Sequence, residues 1–283
     1  MRLDSSIWLA IYVLCSTVQL LRAECSGSYV CKFQDVCGFS EDDTRAGPYI
    51  IGGRKKSPKQ FPWTAQVITV RNGRWISGGS GTLISDRHIW TAAHLFEGKK
   101  FDSTYVFLGT DRAMVSRRGT EGWLLADSVC AKRAKPDEGR DWAIITLRDP
   151  VELSDYVRPA CWTDAHESRM DLCYFAGIGQ FNDRGTLSKD YNIMQVGQTR
   201  CPSRWDNDNY VCFLGTNQYE GASSCAGDSG GGLVCLDRKS GRWQLRGDLV
   251  GIIGFVDNDG SCARGQTSIA VRTKKKLLEA CGI

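Results

Sequence analysis

Histidine is scarce in this sequence: His88, His94 and His166 are all there are, and none of the thirteen cysteines stands in a CxxC pair. Zinc, the competing use for cysteines, draws on closely spaced thiolates and imidazoles, so the shortage argues against it; no metal and no cofactor is expected. Asn-x-Ser/Thr triplets are absent too, and N-glycosylation is not expected. The apolar run from Ile7 to Val18 is broken by Ser16 and Thr17 and followed by Gln19, whereas a membrane anchor needs about 20 apolar residues. No membrane partner is expected. A net charge of +4 is too mild to imply nucleic acid.

What the chain does contain fits a globular protein. Of its 283 residues 42% are hydrophobic and 24% charged, a balance that suits one large or two small lobes. Residues 1–23 carry one early cation, Arg2, then the apolar run, and end Leu21-Arg22-Ala23, the pattern of a signal peptide cut before Glu24. Removing that segment takes Cys15 with it and leaves twelve cysteines, an even number consistent with six bridges in an oxidising compartment. The expected localisation is therefore secreted, extracellular. Residues 24–49 hold Cys25, Cys31 and Cys37, the acidic Glu41-Asp42-Asp43 and a turn-forming tail. Such a stretch is too short for a core of its own and reads as a propeptide.

From Cys225 to Cys235 the sequence runs Cys-Ala-Gly-Asp-Ser-Gly-Gly-Gly-Leu-Val-Cys, a turn stripped of bulk except for Asp228 and Ser229. Glycines on both sides of a serine open backbone angles closed to other residues and let a carbonyl approach the main chain, so the amides of Gly227 and Ser229 can face one oxyanion. A serine acts as a nucleophile only with a base to take its proton and a third group to orient that base. Thr91-Ala92-Ala93-His94 follows one apolar, strand-like run, and Asp141-Trp142-Ala143-Ile144-Ile145 places an acid just ahead of a second. Short β-branched and aromatic runs split by turns, such as Val67-Ile68-Thr69-Val70 before Asn72-Gly73, indicate strands. Lys274 to Ala280 has good helix formers.

TAAH, then DWAII, then GDSGG: in these motifs and this order the chain resembles the chymotrypsin-like (trypsin-like) serine proteases over about residues 50–283. The resemblance implies an all-β fold of two six-stranded antiparallel β-barrels meeting at a cleft, with a C-terminal α-helix. It implies peptide-bond hydrolysis of protein or peptide substrates, with catalytic roles for His94, Asp141 and Ser229 and an oxyanion site at the Gly227 and Ser229 amides. It further implies a zymogen, opened by an activating protease so that the new amino group of Ile50 pairs with Asp228. Tyr49 precedes that cut instead of Arg or Lys, which points to a chymotrypsin-like activator. Residues 50–283 are then the catalytic domain.

The resemblance also implies bridges Cys173–Cys235, Cys201–Cys212 and Cys225–Cys262, and a tether from Cys161 to one of Cys25, Cys31 or Cys37, the other two pairing together. Cys130 and Cys281 are left over and are expected to bridge. That bridge would merge the Lys132-Arg133 and Lys274-Lys275-Lys276 clusters into a basic patch, for which a polyanion such as heparin is a candidate partner and a plain solvated surface the alternative. The specificity pocket maps to Ser223, Ser224, Phe255, Val256 and Ser268. Ser223 stands where an aspartate would select Arg or Lys, so small or medium apolar residues, as in elastases, are expected before the cut. Four positions depart from the family: Gly79 and Leu95 replace the bridge beside the histidine, Gly254 a serine that touches the aspartate, and Gly232 a proline. With the unusual activation site, these argue for the alternative reading, a pseudoprotease serving as an extracellular binding module; the intact His94, Asp141 and Ser229 with Gly227 argue against it and for the enzyme.

Overall fold

The computed structural model describes residues 28–41, 54–55, 59–109, 122–133, 141–164, 172–179, 191–216, 221–253, 262 and 264–283. Fourteen strands occur among them. After β1 (Arg54–Lys55) come β2 (Thr64–Arg71), β3 (Arg74–Leu83), β4 (His88–Thr91), β5 (Ser103–Phe107), β6 (Leu124–Arg133) and β7 (Asp141–Leu147). Strands β2 to β7 close an antiparallel barrel in the order β2-β3-β4-β7-β6-β5. Asn72 and Gly73 supply its β2–β3 turn with φ of 50° and 69°, the left-handed pair that matches the twist of a two-residue hairpin.

The second half holds β8 (Cys161–Trp162), β9 (Cys173–Gly177), β10 (Asn192–Thr199), β11 (Tyr210–Gly215), β12 (Gly232–Asp237), β13 (Arg242–Ile253) and β14 (Thr267–Arg272). Six of these run β10-β11-β14-β13-β12-β9, and β9 pairs back onto β10, so the second ring also closes. The chain thus forms two six-stranded antiparallel barrels. β1 lies along β10 and β8 runs parallel to β13. A short helix, Lys275–Glu279, ends the chain, and among the described residues no helix is long and apolar enough to cross a membrane.

One apolar cluster runs through both barrels, and aromatic residues dominate the seam. Trp90 stacks on Trp142 with ring centroids 5.3 Å apart and meets Trp162 edge-on at 5.0 Å. Each buried side chain of this size contributes about 1.5–3 kcal/mol. β4 is buried at all four positions, and Trp142 through Ile145 of β7 likewise, because these two paired strands have the barrel interior on one side and the second barrel on the other. Their ends therefore open at the seam.

Residues 28–41 lack a core of their own and lie against both halves of the protein instead. Val30 is buried, Arg242 donates to the carbonyls of Gln34 and Cys37, and Cys37 bridges to Cys161. Of the three cysteines left open by sequence, Cys37 is the tether. Tyr29 covers His88 edge-on at 5.3 Å. Burial pushes the His88 imidazole down to about 4, with Arg87 adding to the effect, so the ring is neutral at pH 7, with Nδ1 2.8 Å from Ser85 Oγ.

Candidate active site

Strand β4 ends at Thr91, and the chain turns through a single 3-10 turn, Ala93–Leu95, that carries His94. Strand β7 begins with Asp141, and Thr91 pairs with Ala143 across the two strands. The pairing leaves the acid beside the turn. Asp141 Oδ1 accepts the His94 backbone N–H at 2.8 Å and Oδ2 lies 2.9 Å from His94 Nδ1. An ionised carboxylate only accepts, so Nδ1 carries the ring proton and the Nε2 lone pair is free to act as a base. Both side chains keep an open edge, 26% exposed for His94 and 19% for Asp141.

The glycine turn comes from the second barrel, just ahead of β12. Gly227 and Gly230 have φ of 92° and 82°, angles that side chains resist, and a Cβ on Gly230 would run into Thr91 Oγ1 and the Ser80 carbonyl. Ser229 is half-buried between them. Its carbonyl accepts from Ser80 N at 2.8 Å, which joins the serine's turn to β3 of the first barrel. Leu249 grips the following residues: Gly230 N donates to its carbonyl at 2.7 Å and its own N–H donates to Gly231 O at 3.0 Å. Just beyond Leu249 the β13–β14 register shifts, an irregularity of the kind that re-aims strands beside sites. Among the described residues no hydrogen bond joins Ser229 Oγ to His94. Such contacts often tighten only when substrate binds.

Asp228 points the other way, into the protein, and is fully buried. Its oxygens accept from Gly179 N at 2.7 Å and Cys225 N at 2.9 Å. Burial pushes the carboxyl up to about 7, and the two amides only partly oppose that. The box is tight: a Cβ on Gly179 would stand 2.5 Å from Asp228 Cγ. Ile50, the expected partner of Asp228, lies outside the described residues, as do Gly254, Phe255 and Val256 of the expected pocket. Ser223, Ser224 and Ser268 are described, and all three are fully buried. Ser223 Oγ accepts from Gln266 N at 2.7 Å, and the hydroxyls of Ser224 and Ser268 lie 2.7 Å apart. All three are uncharged and closed off from solvent.

Three of the departing positions resolve into two packed pairs. A Cβ on Gly79 would sit 2.7 Å from Leu95 Cδ1, so the leucine side chain fills the space beside the histidine that a bridge would take. A Cβ on Gly232 would collide with Thr82 Oγ1, which is why a proline is not accommodated there. The bridges Cys173–Cys235, Cys201–Cys212, Cys225–Cys262 and Cys130–Cys281 are all present.

Sequence reasoning passed over one acid. Asp248, on β13 one residue before Leu249, is fully buried and accepts the Trp90 indole N–H at 2.8 Å. Its Oδ2 has no hydrogen-bond partner among the described residues. Burial, with the charge of Asp141 adding to it, holds this carboxyl well above the usual range. A lone acid inside Leu245-Arg246-Gly247-Asp248-Leu249-Val250 was the available signal.

Comparison with known proteins bears on the family and the fold. Atrial natriuretic peptide-converting enzyme of Mus musculus is 29% identical over 231 residues, which cover 78% of this chain and 20% of that protein, so the chain spans about a fifth of its relative's length. Neuropsin, a serine protease expressed in the limbic system of mouse brain, shares the fold with a TM-score of 0.59 at 23% identity, over 78% of this chain and 93% of neuropsin. The family model described as Trypsin matches residues 50–278. Two closed barrels, a histidine held twice by one aspartate and a glycine-flanked serine thus sit in a chain that belongs to the trypsin family of serine proteases.

Proposed function

We propose that this protein is a secreted serine endopeptidase, made as a zymogen, that cleaves peptide bonds by acyl transfer through Ser229. The observation that carries the reading is the two-point grip of Asp141 on His94, which selects the tautomer a base needs. His94 Nε2 takes the Ser229 proton as Oγ attacks the scissile carbonyl carbon, and the amides of Gly227 and Ser229 receive the oxyanion. The imidazolium, steadied by Asp141, then protonates the departing amine. Water, deprotonated by the same nitrogen, releases the acyl group and restores the serine.

Residues 1–23 act as signal peptide, 24–49 as propeptide and 50–283 as catalytic domain in this reading. Cleavage before Ile50 by an activating protease frees an ammonium for Asp228. Ser223, Ser224 and Ser268 carry no charge, and an unpaired Arg or Lys side chain against them would be costly. Small or medium apolar residues are therefore preferred before the cut, with Phe255 and Val256 completing the pocket. Labelling of the processed protein by a fluorophosphonate probe tests the reading. Labelling that disappears in Ser229→Ala supports it; an unlabelled, folded wild-type protein overturns it and leaves the binding module.

A further inference from the structure

Ser80 is a small residue on β3 of the first barrel, 1% exposed, and every polar atom it has is committed to the neighbourhood of the site. Its N–H donates to Ser229 O at 2.8 Å. Its carbonyl accepts from Thr91 Oγ1 at 2.7 Å, three residues before His94. The hydroxyl does two things at once: it donates to Gly227 O at 3.0 Å and accepts from Ile178 N at 3.0 Å. Ile178 precedes Gly179, whose amide holds Asp228. One hydroxyl thus ties together the turn that offers the oxyanion amides, the loop that boxes Asp228, and the barrel that carries the base.

We propose that Ser80 is a positioning residue for the oxyanion site, its hydroxyl fixing the Gly227 peptide from the opposite barrel. Glycine at position 227 has the widest choice of backbone angles of any residue, and φ of 92° is one among several it could adopt. Hydrogen bonds donated to the Gly227 carbonyl therefore decide which way the amides on either side of it face. The Asp228 N–H is fixed by Cys225 O at 3.0 Å and the Gly227 carbonyl by Ser80, so the turn is pinned on both faces. Without the hydroxyl, the Gly227 carbonyl and the Ile178 N–H lose their shared partner in a buried place. The turn then gains a second arrangement in which the Gly227 amide no longer faces the oxyanion.

The inference rests on the reading of Gly227 and Ser229 as oxyanion donors. Removing one such donor lowers kcat by about 10²–10³; losing only its support should cost less, about 10- to 100-fold. The variants are Ser80→Ala, which removes the hydroxyl, and Ser80→Thr, which keeps it, both measured as processed enzyme on a peptide substrate. Ser80→Ala should lower kcat by that factor with KM within about twofold, and Ser80→Thr should recover most of the loss. A peptide boronic acid, whose tetrahedral adduct occupies the oxyanion site, should lose affinity for Ser80→Ala in step with kcat, whereas substrate binding does not. Wild-type kcat in Ser80→Ala, or a loss confined to KM with boronate affinity unchanged, overturns the proposal. Should Ser80→Ala fail to fold, a Ser80→Thr enzyme with kcat and boronate affinity both near wild type supports it, and one that folds yet loses kcat without losing boronate affinity overturns it. An inactive wild-type enzyme would instead remove the protease reading itself.

Discussion

Asp228 allows the activation step to be weighed in free energy. Enclosure raises its carboxyl from 3.8 to about 7, and each tenfold change in proton affinity corresponds to about 1.4 kcal/mol. Keeping Asp228 ionised in the uncut chain therefore costs about 4 kcal/mol, the amount that a buried ammonium from Ile50 could offset. The sign follows from linkage. The folded state holds the proton more tightly than the unfolded one, so the contribution to stability is complete below about pH 4 and is lost as pH rises through about 7. In processed protein the ion pair removes that slope until the ammonium itself titrates near pH 8. Urea unfolding of uncut and processed protein between pH 4 and 7.5 measures the difference. The stability gap should widen by about 4 kcal/mol toward the upper end, because Asp248 and His88 titrate equally in both forms and cancel. Asp228→Asn should flatten the uncut protein's profile. Parallel profiles for the two wild-type forms would refute the pairing of Ile50 with Asp228.

Asp248→Asn keeps an acceptor for the Trp90 indole and removes a carboxyl that burial holds above its usual range; it should match wild type near pH 4 and be the more stable of the two at pH 8, where the unfolded wild-type carboxyl is ionised, whereas Asp248→Leu should lose about 1–3 kcal/mol by leaving the indole N–H unpaired. Strong destabilisation of Asp248→Asn in denaturant melts would show that the charge itself is needed. Opening the Cys130–Cys281 bridge, which spans 151 residues, should lower stability by about 5 kcal/mol at most on chain-entropy grounds, read as a shift in urea midpoint for the double serine variant. Peptides with Ala, Val or Leu before the cut should outperform those with Arg or Lys in kcat/KM, and preferred cleavage after Arg would contradict the uncharged pocket. Lys132 and Lys276 are exposed on either side of that bridge, so retention on a heparin column should fall when both become Ala; unchanged retention leaves a solvated surface.

The legible parts of this protein are those written in consecutive residues. Asn72-Gly73 announces its hairpin because both residues tolerate positive φ, and the glycines around Ser229 announce a turn for the same reason. Ser80 and Asp248 could not be read that way. Ser80 is one small residue in Ser77-Gly78-Gly79-Ser80-Gly81, and its hydroxyl matters only because the fold brings it to a carbonyl 147 residues away. Asp248 meets Trp90 across 158 residues. Both contacts cross the seam between barrels, where neither strand period nor turn chemistry says which polar side chain faces the other half.

The departures from the family pattern weigh differently in space than along the chain. Taken singly along the chain, Gly79, Leu95 and Gly232 are three losses, each one a reason to expect a loosened site. In space they become two exchanges of volume. Leu95 occupies the room that a side chain on Gly79 would need, and Thr82 occupies the room beside Gly232. A packed contact lacks the covalent reach of a disulfide, yet a filled space holds its neighbours by dispersion and leaves no cavity to collapse. Ser80 adds hydrogen bonds at the position next to the missing bridge. The physical expectation is then a site whose histidine turn is held by packing and whose serine turn is held by hydrogen bonds from the opposite barrel. Reducing agents, which would release a bridge, should leave that particular junction unaffected.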